Sequence, residues 1–341
     1  MKLKFTITVI AFMAVLLLVA SCADKNLRQG KIILKQTPPD HKAAIEQFKK
    51  SLATNPNNAE AHYLMGKSYA ELEDIENMSK SFTKSLEISD LYKTDIQECK
   101  ELKWVRMFNK GLEDTKKENY NPGLEKFEIS MIIDDSKYES YSNAGFVATK
   151  LGLDDKAYEY NKKAYDMKPD NFDNVRNYAA TCYKMGKYEE ALKTYKAAME
   201  LNPEMASIQI RIGQIYEQME DYQKAADSYA GALAVNPDNS NLWFNLGVLY
   251  FSKLENNVEA VKAFAKAREL NPEDIDAGFN QVLAMMKIAE FDKAAEVVHE
   301  LEKTSPDNCD VYDLMISVYA ELNDNKMVNE SIAKSKKCKG E

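Results

Sequence analysis

The sequence is poor in the residues that interrupt regular structure, with 12 glycines and 9 prolines among its 341 residues. Strand-rich folds need many turns, and these two residue types supply much of the turn chemistry. Histidine is scarcer still, because the chain has only His41, His62 and His299, far apart along the sequence. We therefore predict an all-α protein and expect no catalytic residues, no metal site and no cofactor.

Clustered positive charge is also missing. The chain has 45 Lys and Arg against 54 Asp and Glu, which gives a formal net charge of -9, and its pI is about 5.2. Proteins that bind nucleic acid neutralise phosphates with clustered Lys and Arg. The composition therefore argues against a nucleic-acid partner.

A long apolar run occurs at the amino terminus, over residues 5–20, where it follows two lysines and ends in small residues before Cys22. The run is shorter than the ~18 residues that a bilayer-spanning helix needs. Basic residues, a short apolar run and small residues, in this order, are typical of a secretory signal peptide. We predict such a signal peptide over residues 1–21, cleaved before Cys22.

The segment Val19-Ala20-Ser21-Cys22 resembles the lipobox of bacterial lipoproteins, in which the cysteine becomes the lipidated new amino terminus. The resemblance implies a lipid anchor at Cys22. An ordinary cleaved leader and an uncleaved anchor are the alternatives. Because Ala23 and not an aspartate follows Cys22, the resemblance to enteric lipoproteins favours the outer membrane, facing the periplasm, with the inner membrane or surface display as alternatives.

Prolines in similar surroundings recur near the ends of helical patterns. The last five of the six are spaced 34, 34, 35 and 34 residues apart, and the set is Pro56, Pro169, Pro203, Pro237, Pro272 and Pro306. The gap between the first two equals three periods plus eleven residues. A fixed period of this length indicates stacked structural repeats, with one insertion of eleven residues.

Each period carries two amphipathic stripes. Positions 4, 7, 8 and 11 of a period fall on one helical stripe, and positions 20, 24 and 27 fall on another. The period that begins at Ala206 has Ile212, Gly213, Tyr216, Ala225, Tyr229, Ala232 and Pro237 at the key positions. One helix pair cannot bury both stripes, so stacked pairs must share a continuous core.

This pattern resembles the tetratricopeptide repeat (TPR). The resemblance implies a right-handed superhelical solenoid of about nine helix-turn-helix repeats. Its phase gives a tether and degenerate first repeat over residues 22–58, repeats 2 and 3 over 59–137, repeats 4 to 8 over 138–308, and a degenerate capping repeat over 309–341. Because repeats fill the mature chain, no separate catalytic domain fits, and we expect a protein that is not an enzyme.

The eleven-residue insertion falls near residues 91–103, where glycine and proline are absent. We predict that it lengthens the first helix of the third repeat by about three turns at ~3.6 residues each. Such an extension is a homodimer contact, a handle for a partner or an inert overhang.

In the TPR family, first helices line the concave face that holds protein partners. The resemblance assigns to this face an apolar set in repeats 7 and 8, which is Phe244, Val248, Phe251, Phe279, Leu283 and Met286. It assigns cationic and polar residues to repeats 5 and 6, which are Arg176, Tyr183, Arg211 and Gln214. An exposed apolar patch predicts a site for an amphipathic helix or an extended segment. The alternative is that Phe244 and Phe279 pack on neighbouring helices.

Two cysteines lie in the capping repeat. Cys309 begins its first helix and Cys338 lies near the end of its second helix, and antiparallel packing brings those ends together. A disulfide in an oxidising compartment is one interpretation, and two free thiols are the other.

Together these features predict a membrane-anchored TPR scaffold or adaptor lipoprotein that binds a protein or peptide partner in its concave groove, as part of a cell-envelope assembly. The alternative function is an accessory or regulatory subunit of an envelope enzyme in cell-wall or secretion machinery. The partner's identity and the oligomeric state do not follow from the sequence.

Overall fold

The protein is helical in most of the residues that the computed structural model describes, which are residues 25–341. The predicted signal peptide and Cys22 lie outside the described residues. No strand occurs between residues 25 and 341, and none of the helices described there is both long and apolar enough to cross a bilayer. The prediction of an all-α repeat protein is confirmed.

The chain divides into two compact units, the first ending at Pro169 and the second running from Asp170 to Glu341. The first unit contains α1 (helical over residues 25–33), α2 (His41–Thr54), α3 (Ala59–Glu71), α4 (Ile75–Ile88), a 3-10 turn (Asp90–Tyr92), α5 (Lys93–Lys116), α6 (Tyr120–Ile133), α7 (Tyr138–Lys150) and α8 (Asp154–Met167).

The second unit contains ten helices of similar length. They are α9 (Phe172–Lys184), α10 (Tyr188–Leu201), α11 (Ala206–Gln218), α12 (Tyr222–Val235), α13 (Ser240–Ser252), α14 (Asn257–Leu270), α15 (Ile275–Lys287), α16 (Phe291–Thr304), α17 (Cys309–Glu321) and α18 (Asn325–Lys339). Odd and even helices pack as consecutive pairs from α3 with α4 to α17 with α18.

Several pairs are held by an aromatic ring of the second helix that packs against a glycine of the first. A Cβ built on Gly66 of α3 would lie 2.5 Å from Cδ1 of Phe82 in α4, and one built on Gly247 of α13 would lie 2.7 Å from Cδ1 of Phe264 in α14. Both phenylalanines are fully buried. The glycine therefore lets the two helix backbones approach closely enough to enclose the ring.

The turn inside each pair contains one residue in the left-handed conformation. From α3 to α18 these residues are Glu73, Glu118, Gly152, Gly186, Glu220, Glu255, Ala289 and Asn323, each with a positive φ. Glycine adopts this conformation without steric cost, and it is present in two of the eight turns. The other six turns hold a side-chain-bearing residue in a conformation that is less favourable for it.

Four of the turns between pairs combine proline with an amide cap. Two residues after Pro56, Asn58 caps α3 by accepting a hydrogen bond from the Ala61 N–H at 3.0 Å. Asn171, Asn239 and Asn308 cap α9, α13 and α17 in the same way. Such a cap stabilises a helix by about 1 kcal/mol. The proline spacing predicted the turn but not the asparagine cap two residues later.

The inserted residues lie in α5, which has 24 residues against 13 in α7. The amino-terminal part of α5 packs against α3, because Ile96 is fully buried and the Tyr63 hydroxyl donates a hydrogen bond to Asp95 at 2.8 Å. The Tyr63 and Tyr92 rings also stack with centroids 4.4 Å apart. The interpretation of this extension as an inert overhang is therefore wrong, since its first turns belong to the core of the first unit.

Candidate functional site

The ten residues predicted to face a partner all lie on the first helices of pairs in the second unit. Arg176 and Tyr183 are on α9, Arg211 and Gln214 on α11, Phe244, Val248 and Phe251 on α13, and Phe279, Leu283 and Met286 on α15. The structure gathers them into two groups, one cationic and one apolar. We call the surface that these ten residues form on α9, α11, α13 and α15 the partner face.

The cationic group surrounds a buried phenol. Tyr195 of α10 is 2% exposed, and burial raises its pKa to about 12 although the positive charges of Arg211 and Arg176 act in the opposite direction. Tyr183 also interacts electrostatically with this phenol. Residues of α9 and α11 therefore converge near one side chain of α10, as the assignment of both helices to one face requires.

The two arginines differ in how much of their charge is already paired. Arg176 makes an ion pair with Asp173 at 2.9 Å, and its guanidinium lies over the Phe172 ring at 5.6 Å. Arg211 is exposed and donates a hydrogen bond to the neutral amide of Gln214 at 2.8 Å. The Arg211 charge is the one more accessible to a carboxylate of a partner.

The apolar residues of α13 rest on the core of their own pair. The rings of Phe244 and Phe264 are 5.7 Å apart and tilted by 58°, an arrangement that aromatic pairs favour. Phe251 packs against the same buried cluster. Val248 is 36% exposed and is the member of the apolar set that faces solvent most fully.

The apolar residues of α15 pack on the carboxyl-terminal core. Phe279, Leu283 and Met286 are partly buried against the cluster formed by α15 to α17. Val261 of α14 packs on both this cluster and the one beneath Phe244, so the apolar groups of α13 and α15 are continuous. Phe244 and Phe279 thus pack against neighbouring helices, which is the alternative that the sequence left open. Part of each ring stays accessible.

The two cysteines of the last pair are joined by a disulfide in the structure. The Cα atoms of Cys309 and Cys338 are 5.6 Å apart, within the range of ~4.4 to 6.8 Å that the bond requires. Cys182 is buried and Cys99 is half-buried, and both are free thiols.

A chain of polar side chains beside the disulfide-bonded pair includes one of the three histidines. The ring of His299 lies 3.3 Å from the Glu302 carboxylate and contacts the Tyr319 hydroxyl, and Lys334 donates to Glu302 at 2.5 Å. These contacts tie α16 to α17 and α18, which is a structural role. Within residues 25–341 no group of three or more His, Cys, Asp and Glu side chains is placed to hold a metal ion.

A cavity of about 290 Å³ lies between α10, α11 and α12, and none of the α11 residues that line it is a predicted site residue. Its lining includes Lys196, Gln209, Tyr216, Lys224 and Gly231. The cavity was not predicted from the sequence, because no motif marks it. The available signal was the combination of Gln209 at a position usually taken by a large side chain and a glycine inside the second helix.

Family profiles match several parts of the chain. Residues 40–72 and 180–220 match a family described as TPR repeat, and residues 210–275 and 59–90 match two families described as tetratricopeptide repeat. No curated protein sequence matches the chain.

Solved structures with the same kind of fold include the C-terminal part of a TPR repeat-containing protein from Cytophaga hutchinsonii. It is 16% identical, has a TM-score of 0.55, and the match covers 68% of this chain and 95% of that one. A MamA protein is 19% identical with a TM-score of 0.48, covering 51% and 94%. PilF of Pseudomonas aeruginosa is 18% identical with a TM-score of 0.45, covering 63% and 97%. At 16% identity the similarity to the Cytophaga hutchinsonii protein is one of fold.

Proposed function

Since the chain is a tetratricopeptide repeat protein, we propose that it is a membrane-anchored scaffold that holds a protein partner on the partner face of its second unit. The observation that carries the proposal is the composition of this face. Exposed Arg211 and Val248 lie among half-buried aromatic residues, with the cationic group on α9 and α11 and the apolar group on α13 and α15. This combination suits a partner segment that presents both apolar side chains and a carboxylate.

We propose that the protein has no catalytic role. Helix pairs follow one another through the described chain, and the ring of His299 is held in contacts that join helices. These observations support a scaffold because stacked repeats provide extended binding surfaces and few enclosed sites.

We further propose that Cys22 carries a lipid anchor that attaches the protein to the outer membrane, facing the periplasm. Support comes from the signal-peptide pattern and the lipobox-like segment before Cys22. Lys25 is already helical, and three residues span at most about 11 Å when fully extended. The first helix pair would therefore lie close to the bilayer, and the partner should be an envelope component near that surface.

The anchor can be tested by replacing its cysteine. Wild type should incorporate labelled fatty acid and sediment with outer-membrane vesicles, whereas Cys22→Ser should do neither. Replacing the half-buried Cys99 by serine provides the matched control and should leave both properties intact. Incorporation of fatty acid by Cys22→Ser would contradict the anchor, and label in inner-membrane fractions would contradict the location.

The partner is tested by crosslinked capture from native membranes. A variant with Arg211→Glu and Val248→Asp changes two exposed residues of the partner face, and a control with Lys193→Glu and Val258→Asp makes the same changes on the exposed surfaces of α10 and α14. We expect a defined partner to be lost from the first variant and retained by the control. An enzyme as that partner would identify the protein as an accessory subunit, and identical captures from all three proteins would contradict the proposed face.

A further inference from the structure

A hydrogen bond from a side chain at the fourth position of a first helix recurs along the chain. Trp243 donates from its indole nitrogen to the carbonyl of Pro237 at 2.8 Å, and Tyr312 donates from its hydroxyl to the carbonyl of Pro306 at 2.7 Å. The His62 ring contacts the carbonyl of Pro56 at 3.0 Å. In each case a ring fixes the turn that precedes its helix.

In α11 no ring occupies this position. Its fourth residue is Gln209, and the cavity of about 290 Å³ lies beside this side chain. Gly231 of α12 widens the space because it has no side chain, and a Cβ there would lie 3.3 Å from Oε1 of Gln209. The volume is at the lower end of the ~300–1,000 Å³ that is typical of ligand pockets, which suits one side chain or a small molecule.

The cavity contains an acceptor without a donor. The Oε1 atom of Gln209 is buried and has no hydrogen-bond partner among the described residues. Buried amide oxygens are nearly always paired in folded proteins. A ligand with an N–H or O–H group would satisfy this oxygen once the Gln209 amide turns toward the cavity.

The cavity wall is aromatic and its rim is cationic. The ammonium groups of Lys196 and Lys224 lie over the Tyr216 ring, 5.7 and 5.5 Å from its centroid. Lys224 also pairs with Asp221 at 2.5 Å, whereas Lys196 has no ion pair within residues 25–341. Asp227 supplies one opposing carboxylate in the lining, so Lys196 is the ammonium group of the rim that is available to an anionic group of a ligand.

We propose that this cavity is a second binding site, which takes a tyrosine or tryptophan side chain of a protein segment with a carboxylate close to that ring. The ring would lie against Ile212 and Tyr216, its O–H or N–H would donate to Gln209, and the carboxylate would meet Lys196. The ring of the partner would occupy in α11 and α12 the position that the rings of Trp243 and Tyr312 occupy in their own helix pairs.

This site is independent of the partner face. Gln209, Ile212 and Tyr216 follow the i, i+3, i+7 spacing of one helical stripe. Arg211 lies two residues from Gln209, about 200° around the helix at ~100° per residue. Loss of binding at one surface therefore does not require loss at the other.

The direct test uses indole-3-acetate as the probe, because it combines an aromatic ring, an N–H donor and a carboxylate. Its binding to the full-length protein in lipid nanodiscs is measured by saturation-transfer NMR. We expect saturable millimolar binding by wild type. Lys196→Glu should weaken it about tenfold, the effect of one lost ionic contact.

A filled-cavity variant separates binding from folding. Gln209→Trp restores a ring at the fourth position, and it should abolish probe binding while maintaining or raising the melting temperature. Lys253→Glu is the matched control, since the Lys253 ammonium lies over the Tyr222 ring at 5.2 Å outside this cavity, and it should bind the probe like wild type.

Two results would overturn the proposal: no saturable binding by wild type, or undiminished binding by Gln209→Trp. Arg211→Glu on the partner face should leave probe affinity unchanged. The test of the second site is therefore independent of the test of the scaffold function.

Discussion

At the scale of single residues, the contact between Gly247 and the Phe264 ring shows what limits substitution. A Cβ at Gly247 would lie 2.7 Å from the ring, and Phe264 is fully buried. We expect Gly247→Ala to lower the free energy of unfolding by about 1–3 kcal/mol, the usual cost of overpacking, measured by urea denaturation. Gly231→Ala is the control, because its nearest neighbour would be 3.3 Å away.

The control has an expected result of its own. Alanine is favoured over glycine inside a helix by about 1 kcal/mol, and the Gln209 side chain need move only a few tenths of an ångström to admit a Cβ at Gly231, so Gly231→Ala should destabilise the protein less than Gly247→Ala. Equal destabilisation by the two substitutions would contradict close packing as the reason for glycine at position 247.

The free thiols differ in their predicted reactivity. Burial raises the pKa of Cys182 to about 12, so at pH 8 only about one molecule in ten thousand carries the reactive thiolate. The native protein should alkylate at the half-buried Cys99 before Cys182, and Cys182 should react only on unfolding. Mass spectrometry of timed iodoacetamide reactions checks the order, and faster labelling of Cys182 would contradict it.

The roles of single residues were predictable where the same residue type recurs at one position in most repeats. The small residue at position 8 and the ring at position 24 follow from the pattern, because most repeats carry them. The Asn58 cap could have been predicted from its place before α3, but the prediction of this turn used only the proline. The cavity at Gln209 was not predictable, because it depends on what α10 and α12 leave unfilled.

At the scale of helices and turns, the residues with positive φ are positions where glycine should raise the free energy of unfolding. Ala289 has φ of +58° in the turn between α15 and α16, a conformation that costs a residue with a side chain roughly 1–2 kcal/mol. Ala289→Gly should therefore raise the free energy of unfolding by up to about 1 kcal/mol, since glycine also loses more entropy on folding.

Its control is Ala333→Gly on the exposed surface of α18. Within a helix the same substitution should lower stability by about 1 kcal/mol. Opposite signs in thermal unfolding support the turn geometry, and two losses of similar size would count against it.

The disulfide between Cys309 and Cys338 links residues 29 apart in sequence across the last helix pair. Closing a loop of this length in the unfolded chain is worth about 3–4 kcal/mol in the entropic treatment. The double variant Cys309→Ser, Cys338→Ser should therefore lose hydrogen-exchange protection in α17 and α18. Reductant should produce the same loss in wild type, and non-reducing peptide mapping should recover the linked peptides.

The first unit supplies the control for that experiment. Protection in α3 and α4 should be unchanged by reductant or by the double variant, because the bond does not involve them. If wild type and the double variant exchange identically in α17 and α18, the bond does not contribute to the native protein.

Helix extents followed from the repeat phase, but tertiary packing of the extension did not. An uninterrupted segment from residue 91 to residue 108 indicates a longer helix. Whether that helix protrudes or packs depends on the Tyr63 hydroxyl and Asp95, which are 32 residues apart and meet only in the fold.

At the scale of the whole molecule, the repeats made the architecture predictable. They did not make it predictable which side chains of the partner face are exposed. The family pattern located the first helices, and thus the partner face. It did not reveal that Phe244, Phe251 and Phe279 are partly buried against their own cores, because exposure depends on neighbouring pairs. Arg211 and Val248 are consequently better residues for testing the face than the phenylalanines.

The measurement that tests the scaffold function most directly is site-specific photo-crosslinking in native membranes. A photoreactive amino acid replaces Val248 on the partner face or Val258 on α14, both of which are exposed. We predict one discrete crosslinked partner at position 248, diminished by Arg211→Glu, and none at position 258. The same crosslinks at both positions, or none at position 248 in cells that make the protein, would contradict the proposed partner face.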